Sequence, residues 1–417
     1  MASVPYDLHP SYLGKKLHAM KADRAIKRYT FNPSKAEPGD ILTVRVPKLK
    51  GNEVIVPNSL AIIFDIDLSG GHANNFLVQN ISRALVEKLV VKFGTNAIDN
   101  IAGHDIYKIF QDLFLPEEKR DNMVPEGIQS EDLCKIRSKS GDKKTTGVDA
   151  ENKLNKVDGS QYRINLDHQI LTGHGVFYPS TLYHHLEFEL TLAPASQVVR
   201  GSDPTKLNYK LNNIQIEYEM IESKSLADDA VSIYTSGKEF IYDHVVRKEV
   251  VPIDKAKDVF ITINVNAQRR SMKAILLLFV EPYVAGTRDS EKYIFPDLKK
   301  IDVTIKGSPS MLYNTGIEPR DMWREVSRFF IKEEQKRPHM NRKKFYTENK
   351  FGLLIDLRSV KSQEMHGSGT RIVNSNDGVQ LEIERDAIGS GKVNCYVYVI
   401  SDAQFNIIDK QLESVQF

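Results

Sequence analysis

Residues 85–103 read LVEKLVVKFGTNAIDNIAG, and residues 298–316 read LKKIDVTIKGSPSMLYNTG. Each is a strand with apolar alternation, then a turn, an Asn and a closing Gly. The period then changes. Ile106, Ile109, Phe110, Leu113 and Phe114 follow Gly103 at i, i+3, i+4, i+7 and i+8, the spacing of a helix with one apolar face. Met322, Trp323, Val326, Phe329 and Phe330 nearly repeat it after Gly316, with Pro319 suited to a first helical turn. An apolar strand and a loop precede both segments, and a polar insertion with further alternating strands follows both. Duplication of one β unit explains this shared order better than chance does.

Working outward, period-two alternation dominates the chain. It places apolar side chains on one face of a strand and polar ones on the other. Leu42, Val44 and Val46 show it, as do Ile62, Phe64, Ile66 and Leu68, then Leu186, Phe188, Leu190 and Leu192, then Ile214, Ile216, Tyr218 and Met220. The second half answers with Val259, Ile261, Ile263 and Val265, with AILLLFV, FGLLIDL and VNCYVYVI, and with Val379, Leu381 and Ile383. Short strands separated by Gly, Pro, Asn and Asp argue for antiparallel sandwiches over a βαβ fold. The fold class read here is all-β: two tandem sandwiches with a few short helices in loops.

Each half is long enough to bury a sizeable core of its own, so a single continuous core would speak against the tandem reading. Ser225 and Asp228 resemble a capping box that opens a helix running to about Tyr234, with Gly237 as its stop. The expected organisation is a basic N-terminal arm at 1–35, a first sandwich at 36–223 with a polar, exposed insertion at 128–161, a connector helix at 224–240 and a second sandwich at 241–417.

Composition narrows the function. The net charge of +2 on 417 residues carries no global polyanion signal. Two cysteines, Cys134 and Cys395, exclude a disulfide framework. No segment reads as a secretory signal or a membrane span, which makes a reducing interior the default compartment. The Asn-Ile-Ser sequon at Asn80 carries little weight there.

Catalytic patterns fail one by one. GSGK at 389–392 has Asp386 where a Walker loop needs Gly and Val393 where it needs a hydroxyl, so a hairpin turn is expected. His184 and His185 are adjacent on a predicted strand and point to opposite faces, one exposed and one semi-buried, so they cannot share a metal. Asp65 with Asp67 shares a strand face, which is commonplace on a solvated sheet. No G-x-S-x-G or H-E-x-x-H pattern occurs. No cofactor is expected, and the chain reads as a non-enzyme.

The arm is more distinctive. Lys15, Lys16, Lys21, Arg24, Lys27 and Arg28 fall together with only Asp23 opposing them. Such a cluster can contact nucleic acid or dock on an acidic inner-face partner, or it can be a solvated helix face.

Specific strings then carry a resemblance. YKLNNIQIEYEMIES at 209–223, IYDHVV at 241–246, RRSMKAILLLF at 269–279 and YTSGK at 234–238, together with the connector helix, resemble the major capsid proteins of Polinton (Maverick) elements and adintoviruses. The resemblance is carried by residues 40–300. It implies a double jelly roll: two eight-stranded sandwiches that build homotrimeric, pseudo-hexagonal capsomers tiling an icosahedral shell around double-stranded DNA. The implied partners are the chain itself, penton or minor capsid proteins and, indirectly, the packaged DNA. The implied location is the virion capsid, after synthesis in host cytoplasm and assembly in nucleus or cytoplasm. Two rivals share the residues: a double-jelly-roll carbohydrate-binding protein or glycosidase, disfavoured by a single Trp on a helix stripe, and a nucleic-acid binder using the arm and the basic cluster at 336–344.

Overall fold

The computed structural model describes residues 23–68, 75–137, 161–172, 178–235, 239–331, 338–360, 368–373, 378–387, 389–413 and 415–417. The first half contributes β1 (Asp23–Thr30), β2 (Ile41–Arg45), β3 (Ala61–Asp67), β4 (Val86–Phe93), β5 (Asn96–Ala102), β6 (Gln161–Asn165), β7 (Leu186–Leu192) and β8 (Lys210–Glu222). They assemble as β1-β8-β3-β6 and β2-β7-β4-β5, antiparallel throughout, with the short strand Glu53–Ile55 added to β8.

The second half contributes β9 (Glu239–Asp254), β10 (Phe260–Val265), β11 (Arg269–Val280), β12 (Leu298–Ile305), β13 (Ser308–Pro309), β14 (Leu353–Asp356), β15 (Val379–Arg385) and β16 (Lys392–Ile408). Their order is β9-β16-β11-β14 and β10-β15-β12-β13, with two further short strands, Thr370–Ile372 on β11 and Gln411–Leu412 on β16. Each strand in the second half therefore takes the place of the strand eight numbers earlier. This wiring is the eight-stranded jelly roll, and the chain contains it twice.

Local chemistry accounts for the strands. In β7, Leu186, Phe188, Leu190 and Leu192 are buried while Glu187, Glu189 and Thr191 face outward. The outward carboxylates are met by Arg45 on β2 at 2.8 Å and Lys92 on β4 at 2.6 Å. The β12–β13 turn puts Lys306 and Gly307 at φ 54° and 72°, as a two-residue hairpin with matching twist requires. GSGK forms the turn before β16, with Gly389 and Gly391 also at positive φ.

Three helices stand where the periodicity changes: α1 (His104–Asp112), α2 (Lys224–Thr235) and α3 (Pro319–Phe330). Helix α2 joins β8 to β9 and packs Leu226 and Ala227 on Val54 and Ile221. Gly103, at φ 66°, opens α1, and a Cβ there would lie 2.8 Å from the Tyr398 hydroxyl.

Four expectations change. Residues 23–30, read as part of a basic arm, are β1, paired with β8 from Asp23↔Glu222 to Thr30↔Gln215. As an edge strand with outward Arg24, Ile26 and Arg28, β1 lacks the apolar alternation that would have revealed it. The insertion at 128–161 is partly structured: Ile128 is buried, and Glu131–Arg137 is a helix with Cys134 buried. Residues 138–160 lie outside the described residues. His184 and His185 precede β7 and are both exposed, because the chain is still bending before Leu186.

Finally, buried apolar side chains from both halves form one contiguous cluster rather than two. None of the strands above enters a sheet of the other half. The two interiors are continuous because the rolls meet along a buried seam.

Candidate functional site

Several buried polar side chains lie along the seam. Strand β9 of the second roll packs on β5 of the first. There the Tyr242 hydroxyl donates to the Ile98 carbonyl. Tyr398 donates to the Gly103 carbonyl at 2.8 Å, and Tyr293 to that of Ile106, also at 2.8 Å. Gln169, just past β6, exchanges hydrogen bonds with Asp243 on β9. Buried tyrosines with a partner for the hydroxyl supply apolar area without an orphaned polar atom.

Helix α1 is the centre of this contact. Phe110 meets Phe114, Tyr293 and Phe330 with ring centroids 5.2, 5.1 and 5.8 Å apart. Phe114 in turn stacks on Phe330 at 5.2 Å, so the helices that follow the two repeated segments touch each other. Beside them Asp105 on α1 receives Arg288 of the second roll at 2.6 Å, with side-chain exposures of 3% and 2%. Burial alone would lower the Arg288 pKa, but Tyr283 and Asp105 more than offset it and hold the guanidinium charged. Arg120 and Glu291 form a second buried pair across the seam at 2.8 Å.

A cavity of about 100 Å³ opens where β9 crosses the first roll, lined in part by Asp99, His104, Asp167, His168 and Asp243. Asp99 is bracketed by His168 Nε2 at 3.4 Å and His244 Nε2 at 3.7 Å. Burial pushes His244 down to about 4 despite Asp99, with Arg269, His168 and Lys248 adding to the fall. Burial, then Lys108 and Arg83, push His104 to about 3. Both imidazoles are therefore neutral at physiological pH. Among the described residues no group of three His, Cys, Asp or Glu is placed to hold a metal ion.

The residues singled out from sequence lie elsewhere. Lys15, Lys16 and Lys21 fall outside the described residues. Arg24, Lys27 and Arg28 stand together on β1 and face carboxylates: Arg24 pairs with Glu219, Lys27 reaches Glu53 at 4.0 Å, and Arg28 binds Glu217 at 2.6 Å. Glu217 also binds Arg163 at 2.6 Å, so Arg24 and Arg28 belong to a ladder on the outer sheet face, whereas Lys27, next to Arg28 on the strand, points to the opposite face. Asp65 and Asp67 accept hydrogen bonds from Asn213 and Asn212 there. The pair at Asp105 and Arg288 went unread, since a partner 183 residues away leaves no local pattern. No helix among the described residues is long and apolar enough to cross a membrane.

No protein-family model matches the sequence, and no curated protein matches it. Solved structures do match, over nearly the whole length. PBCV-1 VP54, fitted into a reconstruction of the virophage Sputnik, aligns at a TM-score of 0.58 and 11% identity, covering 96% of this chain and 98% of that one. The Faustovirus major capsid protein aligns at 0.59 and 8% identity, with 93% and 90% covered. The mavirus major capsid protein aligns at 0.51 and 9% identity, with 93% and 89% covered. The fold of this chain is thus the double jelly roll seen in these viral major capsid proteins.

Proposed function

We propose that this chain is a major capsid protein whose homotrimers form pseudo-hexagonal capsomers tiling an icosahedral shell around double-stranded DNA, of the kind built by Polinton elements and adintoviruses. The observation that carries the reading is the seam. Two copies of one roll, locked by buried ion pairs and tyrosine hydrogen bonds, make a rigid tile, and the same two-roll arrangement spans nearly the full length of the capsid proteins it matches. A tile works through its flanks, and closed symmetry makes a ring of copies the natural unit. Its place is the virion, with penton or minor capsid proteins as further partners. Trp323 supports this reading over carbohydrate binding: its ring packs on Phe114 and Phe345 at 6.4 and 5.3 Å instead of standing free as a sugar platform.

Size-exclusion chromatography with light scattering should give a trimer at micromolar concentration, and negative-stain microscopy should show hexagonal particles about one capsomer wide. A persistent monomer, or turnover or tight binding of a glycan, would overturn the proposal. The basic arm is assigned to inner-face docking on an acidic partner or DNA. Since Arg24, Lys27 and Arg28 already face carboxylates, Lys15, Lys16 and Lys21 carry that role. Deleting residues 1–22, which spares β1, should leave the trimer intact and reduce shell assembly or packaging. Unaltered particles would remove the arm from the proposal.

A further inference from the structure

We infer that the cavity between β9 and the first roll is a binding site for a small primary amine in its ammonium form, held by the Asp99 carboxylate and the free ring nitrogen of His104. The site belongs to the single folded chain and does not depend on how copies assemble.

Charge decides the class of ligand. The cavity lining carries two cations, Arg83 and Lys108, and three carboxylates, Asp99, Asp167 and Asp243. Arg83 is shared by Asp112 at 3.1 Å and Asp167 at 2.9 Å, Lys108 lies 3.9 Å from Asp167, and Asp243 is met by Lys273 at 2.6 Å. Asp99 is left over. Its side chain is 3% exposed, and among the described residues its ion-pair partners are the imidazoles of His168 and His244, with no lysine or arginine. The Ile170 N–H donates to His168 Nδ1 at 3.2 Å, so the ring proton of His168 sits on Nε2 and that ring faces Asp99 as a neutral donor. A carboxylate kept from water without a cation is costly, and a cation that enters the cavity removes that cost.

His104 supplies an independent acceptor. It lines the same cavity, is 5% exposed, and has no hydrogen-bond partner at Nδ1. Its Nε2 donates to the Val86 carbonyl, which fixes the free lone pair on Nδ1. A buried lone pair calls for a donor. An ammonium group donates in three directions and carries the missing charge, whereas an anion would meet Asp99 and Asp167 and a hydroxyl would bring no charge. A metal ion needs several ligands converging on one point, and no such group of three is present among the described residues. Leu89, Ile101, Phe188 and Leu190 supply apolar wall for an alkyl chain. Since one water needs about 10–15 Å³ of such space, about 100 Å³ holds a molecule of roughly six non-hydrogen atoms. Asp243 and Val245 come from β9 and the rest of the lining from the first roll, so the bound amine bridges the two rolls.

The probe is n-butylammonium, and 1-butanol is its uncharged counterpart of the same size. Ligand-observed NMR titration of the full-length protein at about pH 7.5, where the amine is protonated, should give a dissociation constant of about 1 mM for the amine, about 10-fold tighter than for the alcohol. With about 10 mM amine the folded-to-unfolded ratio should rise about 10-fold above that in the same concentration of KCl. Asp99→Asn, which keeps the shape and removes the charge, should abolish the preference for amine over alcohol. Equal affinity for the two probes, stabilisation by KCl that matches the amine, or a preference that survives Asp99→Asn would each overturn the inference. Should the variant fail to fold, the amine, alcohol and salt comparisons on the parent protein decide the question without it.

Discussion

Asp105→Ala should lower the unfolding free energy by about 3–5 kcal/mol, because it leaves Arg288 buried and without its anion. The pair is almost fully removed from water, and the guanidinium has no exposed route to rehydrate. What remains near it is the Tyr283 ring, 4.5 Å from the guanidinium carbon, and the Gln197 carbonyl at 3.3 Å, neither of which replaces a carboxylate. The effect belongs to the stranded charge more than to the bond. Accordingly, adding Arg288→Met to Asp105→Leu should recover much of the loss, since an apolar pair of similar volume avoids the desolvation cost altogether. Denaturant midpoints at unchanged slope would measure both variants. A single variant that unfolds within about 1 kcal/mol of the parent would mean the pair does not hold the rolls together.

Acid should weaken the same seam, and the sign follows from the neutral imidazoles. His104 and His244 are held at about 3 and about 4 in the folded protein, below the value of roughly 6.5 for a free imidazole. The unfolded chain therefore binds more protons between those limits, so stability rises with pH across the window. It is fully present above the unfolded value and is lost as pH falls toward 4. At about 1.36 kcal/mol per pKa unit, His244 alone accounts for roughly 3 kcal/mol. Burial alone would raise Asp167, but Arg83 and Lys108 hold it below the usual carboxylate range, so its contribution disappears only at still lower pH. Urea titrations at pH 7 and pH 5 should show the loss in the parent and a shallower dependence in His244→Gln. Equal slopes in the two proteins would dissociate the seam histidines from acid sensitivity.

Much of the architecture was legible before any coordinates. Alternation in β7 and β10 and the helical stripes after Gly103 and Gly316 are local patterns, and each became the predicted element. The segment 85–103, read as one strand and a turn, is a hairpin whose second strand is β5. Local patterns failed where burial is two-sided or absent. Strand β1 has its outer face in water and no apolar rhythm, so it read as an arm. Cys134 sits in a polar stretch, yet tertiary packing buries it. Arg24 and Arg28 looked like part of a basic cluster because the carboxylates that meet them, Glu219 and Glu217, lie on a strand far along the chain.

What the amino-acid order determined alone is the doubled all-β plan, because side-chain alternation and turn chemistry act over a few residues and need no distant partner. What only the tertiary structure decided is how the two rolls are joined and which charges are neutralised. Those outcomes depend on desolvation and on pairs such as Asp105 with Arg288, whose energy exists only once residues remote in the chain have been brought into one water-free contact.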